Sequence, residues 1–160
     1  MAKAKHPVTA AVRALRAAQV DFEPHEYAYV DKGGTAASAQ ALGVPEHHVI
    51  KTLIMEDEAR NALVVLMHGD RSVSTKQLAR HLGRKTIRPC EPATAERHSG
   101  YKVGGTSPFG TRRPMPTFVE RSITELDRIY LNGGQRGFLI SITPTALIDV
   151  LTPQLVEVAV

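Results

Sequence analysis

Residues 49–55 read Val-Ile-Lys-Thr-Leu-Ile-Met, and residues 62–67 read Ala-Leu-Val-Val-Leu-Met. Both runs are short, apolar and rich in strand-forming side chains, and the polar stretch 56–61 between them has the length of a hairpin link. Two strands joined so closely must run antiparallel. A single charge, Lys51, interrupts the first run. An ammonium cannot be buried without a partner at tolerable cost. Lys51 therefore either reaches solvent from an edge strand or lines a pocket. In a pocket it would serve as the cation for an ester carbonyl or phosphate, or as a desolvated base. Spacing alone leaves these alternatives open.

Outward from this hairpin, short helices and strands mix without a regular βαβ rhythm. Pro7, then Val8, Val12 and Leu15, predict a helix to about Gln19. Residues 20–29 read as extended chain. Thr35 is expected to cap an Ala-rich helix ending at Gly43. Ser74 caps a helix holding Leu78 and Leu82 and closed by Gly83. Strands are expected at 85–90, 117–119, 129–131, 138–142 and 154–158. Pro92 opens a helical turn to about Arg97, Ser122 and Glu125 resemble a capping box, and Thr143-Pro144 starts a helix through Leu151. The sum is an α+β fold: one domain over residues 1–160, with a mixed, mostly antiparallel sheet and short surrounding helices.

The 160-residue length fits one core, and 42% hydrophobic with 22% charged residues is ordinary for a globular chain. No apolar run approaches a membrane span. One cysteine excludes an internal disulfide, so a cytoplasmic location is expected. The net charge of +4 is compatible with a polyanionic partner and also with none, and only four Phe and four Tyr argue against a stacking platform for single strands.

Residues 100–110, Gly-Tyr-Lys-Val-Gly-Gly-Thr-Ser-Pro-Phe-Gly, form the chain's main glycine loop. Its glycines either let backbone amides approach a ligand or serve a run of tight surface turns. It is no phosphate loop, because Thr111-Arg112 stands where Lys-Ser/Thr is required. Ser107 is one residue out of register for a nucleophile elbow. A second glycine loop spans 132–137, for which a hairpin turn is a fully adequate reading. Seven histidines offer no helical i, i+4 pair, and neither a metal site nor an organic cofactor is expected. Cys90 lacks any catalytic motif and reads as structural.

Taken together, Lys51-Thr52-Leu53, Gly100-Tyr101, Val103-Gly104-Gly105-x-Ser107-Pro108-x-Gly110, Ile129-Tyr130 and Gly133-Gly134-x-Arg136-Gly137 resemble the YbaK/EbsC family. These are freestanding relatives of the editing domain inserted in bacterial prolyl-tRNA synthetases. The resemblance implies trans-editing: removal of cysteine from Cys-tRNA(Pro), with the substrate's own thiol attacking the ester. Other possibilities are a water-dependent deacylase of Ala- or another small aminoacyl-tRNA, and a tRNA binder without catalysis. The implied partners are tRNA(Pro) and prolyl-tRNA synthetase.

By position, the resemblance makes Lys51 the key polar residue, and Gly104, Gly105 and Pro108 the loop whose amides hold the ester carbonyl. Tyr27, Thr52, Tyr101, Ser107, Asn132, Gly133 and Gly134 would line the pocket. Arg13, Arg84, Lys102 and Arg112 would meet tRNA phosphates. The chain departs from the cysteine-specific pattern at Gly34-Thr35, at Asn132 and at Leu139, where an aromatic, a serine and an aspartate are expected.

Overall fold

The computed structural model describes residues 5–160. Five α-helices and eight strands follow in the order α1 (Ala10–Ala17), β1 (Glu23–Glu26), α2 (Gly34–Leu42), β2 (Ile50–Asp57), β3 (Ala62–His68), α3 (Thr75–Leu82), β4 (Ile87–Pro89), α4 (Pro92–Ser99), β5 (Thr117–Glu120), β6 (Ile129–Gln135), β7 (Phe138–Ile142), α5 (Pro144–Leu151) and β8 (Gln154–Val156). Short 3-10 turns cover Glu46–His48 and Arg121–Glu125. No helix among the described residues is long and apolar enough to cross a membrane.

The strands make two sheets, β1-β7-β6 and β4-β2-β3-β5-β8. Every pair in the first is antiparallel, whereas β5 and β8 add parallel to the second. A parallel bridge between Val49 and Tyr130 joins the sheets where β2 begins. Alternation along β2 sends Ile50 and Ile54 into the main core, with Leu131, Phe138, Ile140 and the α1 residues Val12 and Leu15. On its other face Met55 joins Val65 and Met67 beneath Leu78 and Ala79 of α3. A sheet covered on both faces needs apolar residues at successive positions, which is why β3 reads as an unbroken apolar run.

The local signals hold at α3 and α5: Ser74 and Thr143 accept hydrogen bonds from Gln77 N and Ala146 N, and Gly83 closes α3 in the left-handed region. Four expectations need correction. Thr9, not Pro7, begins the first helix, because its hydroxyl accepts from Val12 N. Gly33 rather than Thr35 caps α2; Thr35 lies inside the first turn and donates to Glu46 instead (2.7 Å). Ser122 caps nothing, since its hydroxyl is bonded to His68 Nε2 at 2.7 Å, and its segment winds as 3-10 turn. Finally, β6 continues through Asn132, Gly133 and Gly134, with a bulge before Gln135 pairs with Phe138.

Strand β2 also outruns its expected end, because Asp57 builds the hairpin turn. Its Oδ1 accepts from Ala59 N and Asn61 N, both at 2.9 Å, and its Oδ2 from Asn61 Nδ2 and Arg84. These bonds, the Asn61 amide foremost, hold the Asp57 carboxyl below its ordinary value of 3.8. Asp57→Ala should lower the urea midpoint near neutrality. A depressed carboxyl stabilises above its unfolded pKa, and that contribution disappears as pH falls through the folded value. The gap between wild type and variant should therefore close well below pH 3.8. A gap unchanged by acid would mean the charge is irrelevant to the turn.

Candidate functional site

The glycine loop leaves α4 at Gly100, whose φ of 82° ends the helix, and returns to the sheet at β5. Its floor is fixed by buried side chains. Tyr101 is 7% exposed and donates its hydroxyl to the carbonyl of Phe109, tying the loop's two limbs together. Burial pushes that phenol up to about 12. Ser107 is fully buried and its Oγ accepts from Phe109 N at 3.2 Å. Above this floor, Gly105 N donates to Lys102 O (2.8 Å), closing a turn. Gly104, at φ 86°, supplies the positive φ that a type II turn requires at its third position.

The β6–β7 hairpin holds the loop from the side. Asn132 Nδ2 donates to Gly104 O at 3.0 Å, while its Oδ1 accepts from Gly134 N and Gln135 N. Arg136 Nε donates to Val103 O at 2.8 Å, and its guanidinium lies 5.3 Å from the ring centre of Tyr29. Gly105 packs so closely that a Cβ there would lie 2.9 Å from Arg136 N. The amides of Gly104 and Thr106 meet no acceptor among the described residues and are available to a ligand.

The strand register places Lys51 relative to this assembly. Val49 and Tyr130 pair in parallel, so alternation brings Lys51 and Asn132, two residues on, to the same face of the joined sheets. The Lys51 ammonium donates to the carbonyl of Arg71. Partial burial lowers its pKa from 10.5, opposed by the carboxylates of Glu46 and Asp70. Tyr27 packs on this face with Val49, Ala39, Leu139 and Tyr130, and its amide donates to Gly137 O. Lys51 and the apolar wall around Tyr27 thus share the sheet face on which Asn132 holds the glycine loop. That set can bind an acyl ester and stabilise negative charge on its carbonyl oxygen.

Not every expected residue belongs to it. Thr52 points opposite to Lys51, among Ile50 and Ile54, and its buried hydroxyl has no partner among the described residues. Tyr101 and Ser107 shape the loop from beneath. Gly133 and Gly134 are needed as glycines for contact: a Cβ on Gly133 would strike the ring of Phe138, and one on Gly134 would lie 2.9 Å from Tyr101. Pro108 is buried under the loop. Of the basic residues, Arg112 packs beside Gly100, Lys102 lies on the exposed turn, and Arg13 is close enough to lower the Tyr101 pKa slightly. Arg84 follows α3 and pairs at 2.9 Å with Asp57, at the end of β2 far from Lys51. Sequence reasoning missed Tyr29, Glu46 and Asp70, which no local pattern marks; Arg136 did stand inside the second glycine motif.

Near Lys51, His47, His68 and Asp70 bring potential ligand atoms within 4.8 Å of one another. The two rings stack at 3.7 Å with planes 6° apart. An imidazole binds a metal in its own plane, and parallel planes share no such position. His68 is moreover bonded through both nitrogens, to His47 O and Ser122 Oγ. The cluster is a hydrogen-bonded brace. Cys90 is no nucleophile either, since burial raises its thiol to about 11.

The fold recurs in a solved structure described as a candidate trans-editing enzyme for prolyl tRNA synthetase, with a TM-score of 0.82 and 21% identity over 96% of this chain and 98% of that one. The architecture is thus one that recurs among solved structures. The family model for the aminoacyl-tRNA editing domain matches residues 31–150, and the chain belongs to that family. An Enterococcus faecalis protein named, by inference, a Cys-tRNA(Pro)/Cys-tRNA(Cys) deacylase, EbsC, is 28% identical over 99% of this chain and 98% of its own. The proline--tRNA ligase of Thermodesulfovibrio yellowstonii is 30% identical over 57% of this chain and 16% of the ligase.

Proposed function

We propose that this protein is a trans-editing deacylase that clears cysteine from Cys-tRNA(Pro). The observation that carries the proposal is a glycine loop with free amides, held by Asn132 on the sheet face that carries Lys51; the loop's hydroxyls at Thr106 and Ser107 are both hydrogen-bonded within it. Ser107 is buried and bonded, and the Cys90 thiol is held protonated. A substrate that brings its own nucleophile needs only to be held in place. The cysteinyl Sγ attacks the ester carbonyl carbon, the carbon–oxygen bond to the terminal ribose breaks, and the thiol proton passes to the ribose oxygen. The product is a cyclic thiolactone and free tRNA. Orienting such an intramolecular attack is worth roughly 7–11 kcal/mol of the barrier.

The names of the E. faecalis relative and of the ligase relative support cysteine and tRNA(Pro) as the target. A second reading, water-dependent removal of alanine, is favoured by the apolar wall of Leu139, Val49 and Tyr27, which suits a methyl group as well as a thiol. A hydrophobic pocket discriminates such small differences only weakly. Deacylation of Cys-tRNA(Pro), S-blocked Cys-tRNA(Pro) and Ala-tRNA(Pro) separates the two. We expect release from the first alone. Release of alanine with indifference to the thiol block would replace cyclisation by hydrolysis. Binding of all three without release would make the protein a tRNA binder.

A further inference from the structure

Helix α3 and the chain entering β4 enclose a cleft of about 500 Å3 lined by Lys76, Arg80, Arg84 and Lys85, with Thr75 and Thr86. Its apolar floor, Ala79 and Ile87, is only 5% exposed at each residue. No carboxylate lines it. Arg84 is satisfied by Asp57, but Lys76, Arg80 and Lys85 are exposed and form no ion pair among the described residues. Lys76 and Arg80 stand one turn apart on α3, where like charges repel and weaken a helix. Gly83, at φ 67°, then turns the chain back so that Lys85 joins them. A bound anion would relieve this concentration of positive charge. The backbone amides of Lys85 and Thr86 are occupied by Glu58 Oε1, so recognition falls to the side chains.

The cleft is aligned with the candidate site. Lys51, Leu53, Met55 and Asp57 alternate onto one face of β2, and α3 packs on that face. Six residues of strand span about 20 Å. The row therefore starts at Lys51 and ends at the Asp57–Arg84 pair on the cleft's edge. We propose that this cleft binds the phosphate backbone of the tRNA whose aminoacylated 3′ end lies at Lys51. The inference rests on the function proposed above. An RNA backbone suits the lining better than an acidic protein, because protein interfaces centre on exposed aromatic or aliphatic anchors and this cleft has none. Lysine and arginine on phosphates position a nucleic acid without reading its sequence.

The test combines Lys76→Glu, Arg80→Glu and Lys85→Glu, all at exposed positions, with a milder Lys76→Gln/Lys85→Gln variant should the first fold poorly. Binding of uncharged tRNA is measured against salt, and turnover is measured with full aminoacyl-tRNA and with an aminoacyl ester of a short 3′ oligonucleotide. The triple variant should bind tRNA at least about tenfold more weakly, with a log–log salt slope shallower by about 3. KM for full tRNA should rise while kcat and turnover of the short ester stay unchanged. Unaltered affinity and slope overturn the inference, even if the variant loses binding to polyglutamate, the probe for an acidic protein. Equal loss on the short ester overturns it too. If wild type turns over neither ester, the deacylase function fails, while the binding slope still decides on the cleft.

Discussion

Lys51→Ala is expected to abolish measurable deacylation and leave the fold intact. Lys51 lies on the sheet face where Asn132 holds the glycine loop, and it donates to a backbone carbonyl with two solvent-reachable carboxylates nearby. Losing one preorganised donor to a developing oxyanion costs about 2.7–4 kcal/mol, or about 10²–10³ in rate. Lys51→Met retains the apolar stem and separates packing from charge. It should unfold at nearly the wild-type urea concentration and be as inactive as the alanine variant. If Lys51→Met kept most of its activity, the lysine would be a packing residue and the site assignment would fail.

The pH profile is an independent readout. Burial lowers the Lys51 pKa, so its charged form is lost as pH rises through a value below 10.5. After subtraction of the uncatalysed ester hydrolysis, kcat/KM should fall on an alkaline limb centred below that value. Arginine stays charged over the same range, so Lys51→Arg should flatten the limb even where its altered shape lowers the rate.

The parts of this fold that sequence made legible are those governed by neighbours along the chain. Serine and threonine caps at Ser74 and Thr143, the glycine stop at Gly83, and the 49–55 and 62–67 strands follow from local chemistry. The failures share a cause. Thr35 and Ser122 are good caps by type, yet each hydroxyl found a partner distant in sequence, at Glu46 and His68. The segment 132–134 looks like a loop because glycines dominate it; pairing with β7 makes it strand. At the site the same division holds. Lys51 stood out because a charge interrupts an apolar strand. Its carboxylate neighbours, Glu46 and Asp70, come from turns that only the folded sheet brings near. Thr52, next to Lys51 in sequence, lies on the other face of the strand, because side chains alternate there.

Gly105→Ala should be the more damaging of two adjacent glycine substitutions, although Gly104 has the unusual backbone angle. At Gly104, φ 86° makes an alanine strained by about 1–3 kcal/mol, and its Cβ would lie 2.6 Å from the Tyr29 hydroxyl. That hydroxyl is the far end of a partly exposed side chain, and it can swing aside. At Gly105 the added Cβ meets backbone instead: Arg136 N at 2.9 Å, with Gln135 C and Cα at 3.1 and 3.2 Å. These atoms belong to a paired hairpin and cannot yield without opening it. The loop must move, which breaks the Asn132 and Arg136 hydrogen bonds to Gly104 O and Val103 O. Displacing oriented amides by about 1 Å is enough to lose about 10²-fold in rate. We therefore expect Gly105→Ala to lower kcat by at least that factor with KM little changed, and Gly104→Ala by clearly less. Adding Tyr29→Phe should rescue part of the Gly104→Ala defect and none of the Gly105→Ala defect. The reverse ranking would mean that backbone angle, not contact with the hairpin, fixes the loop.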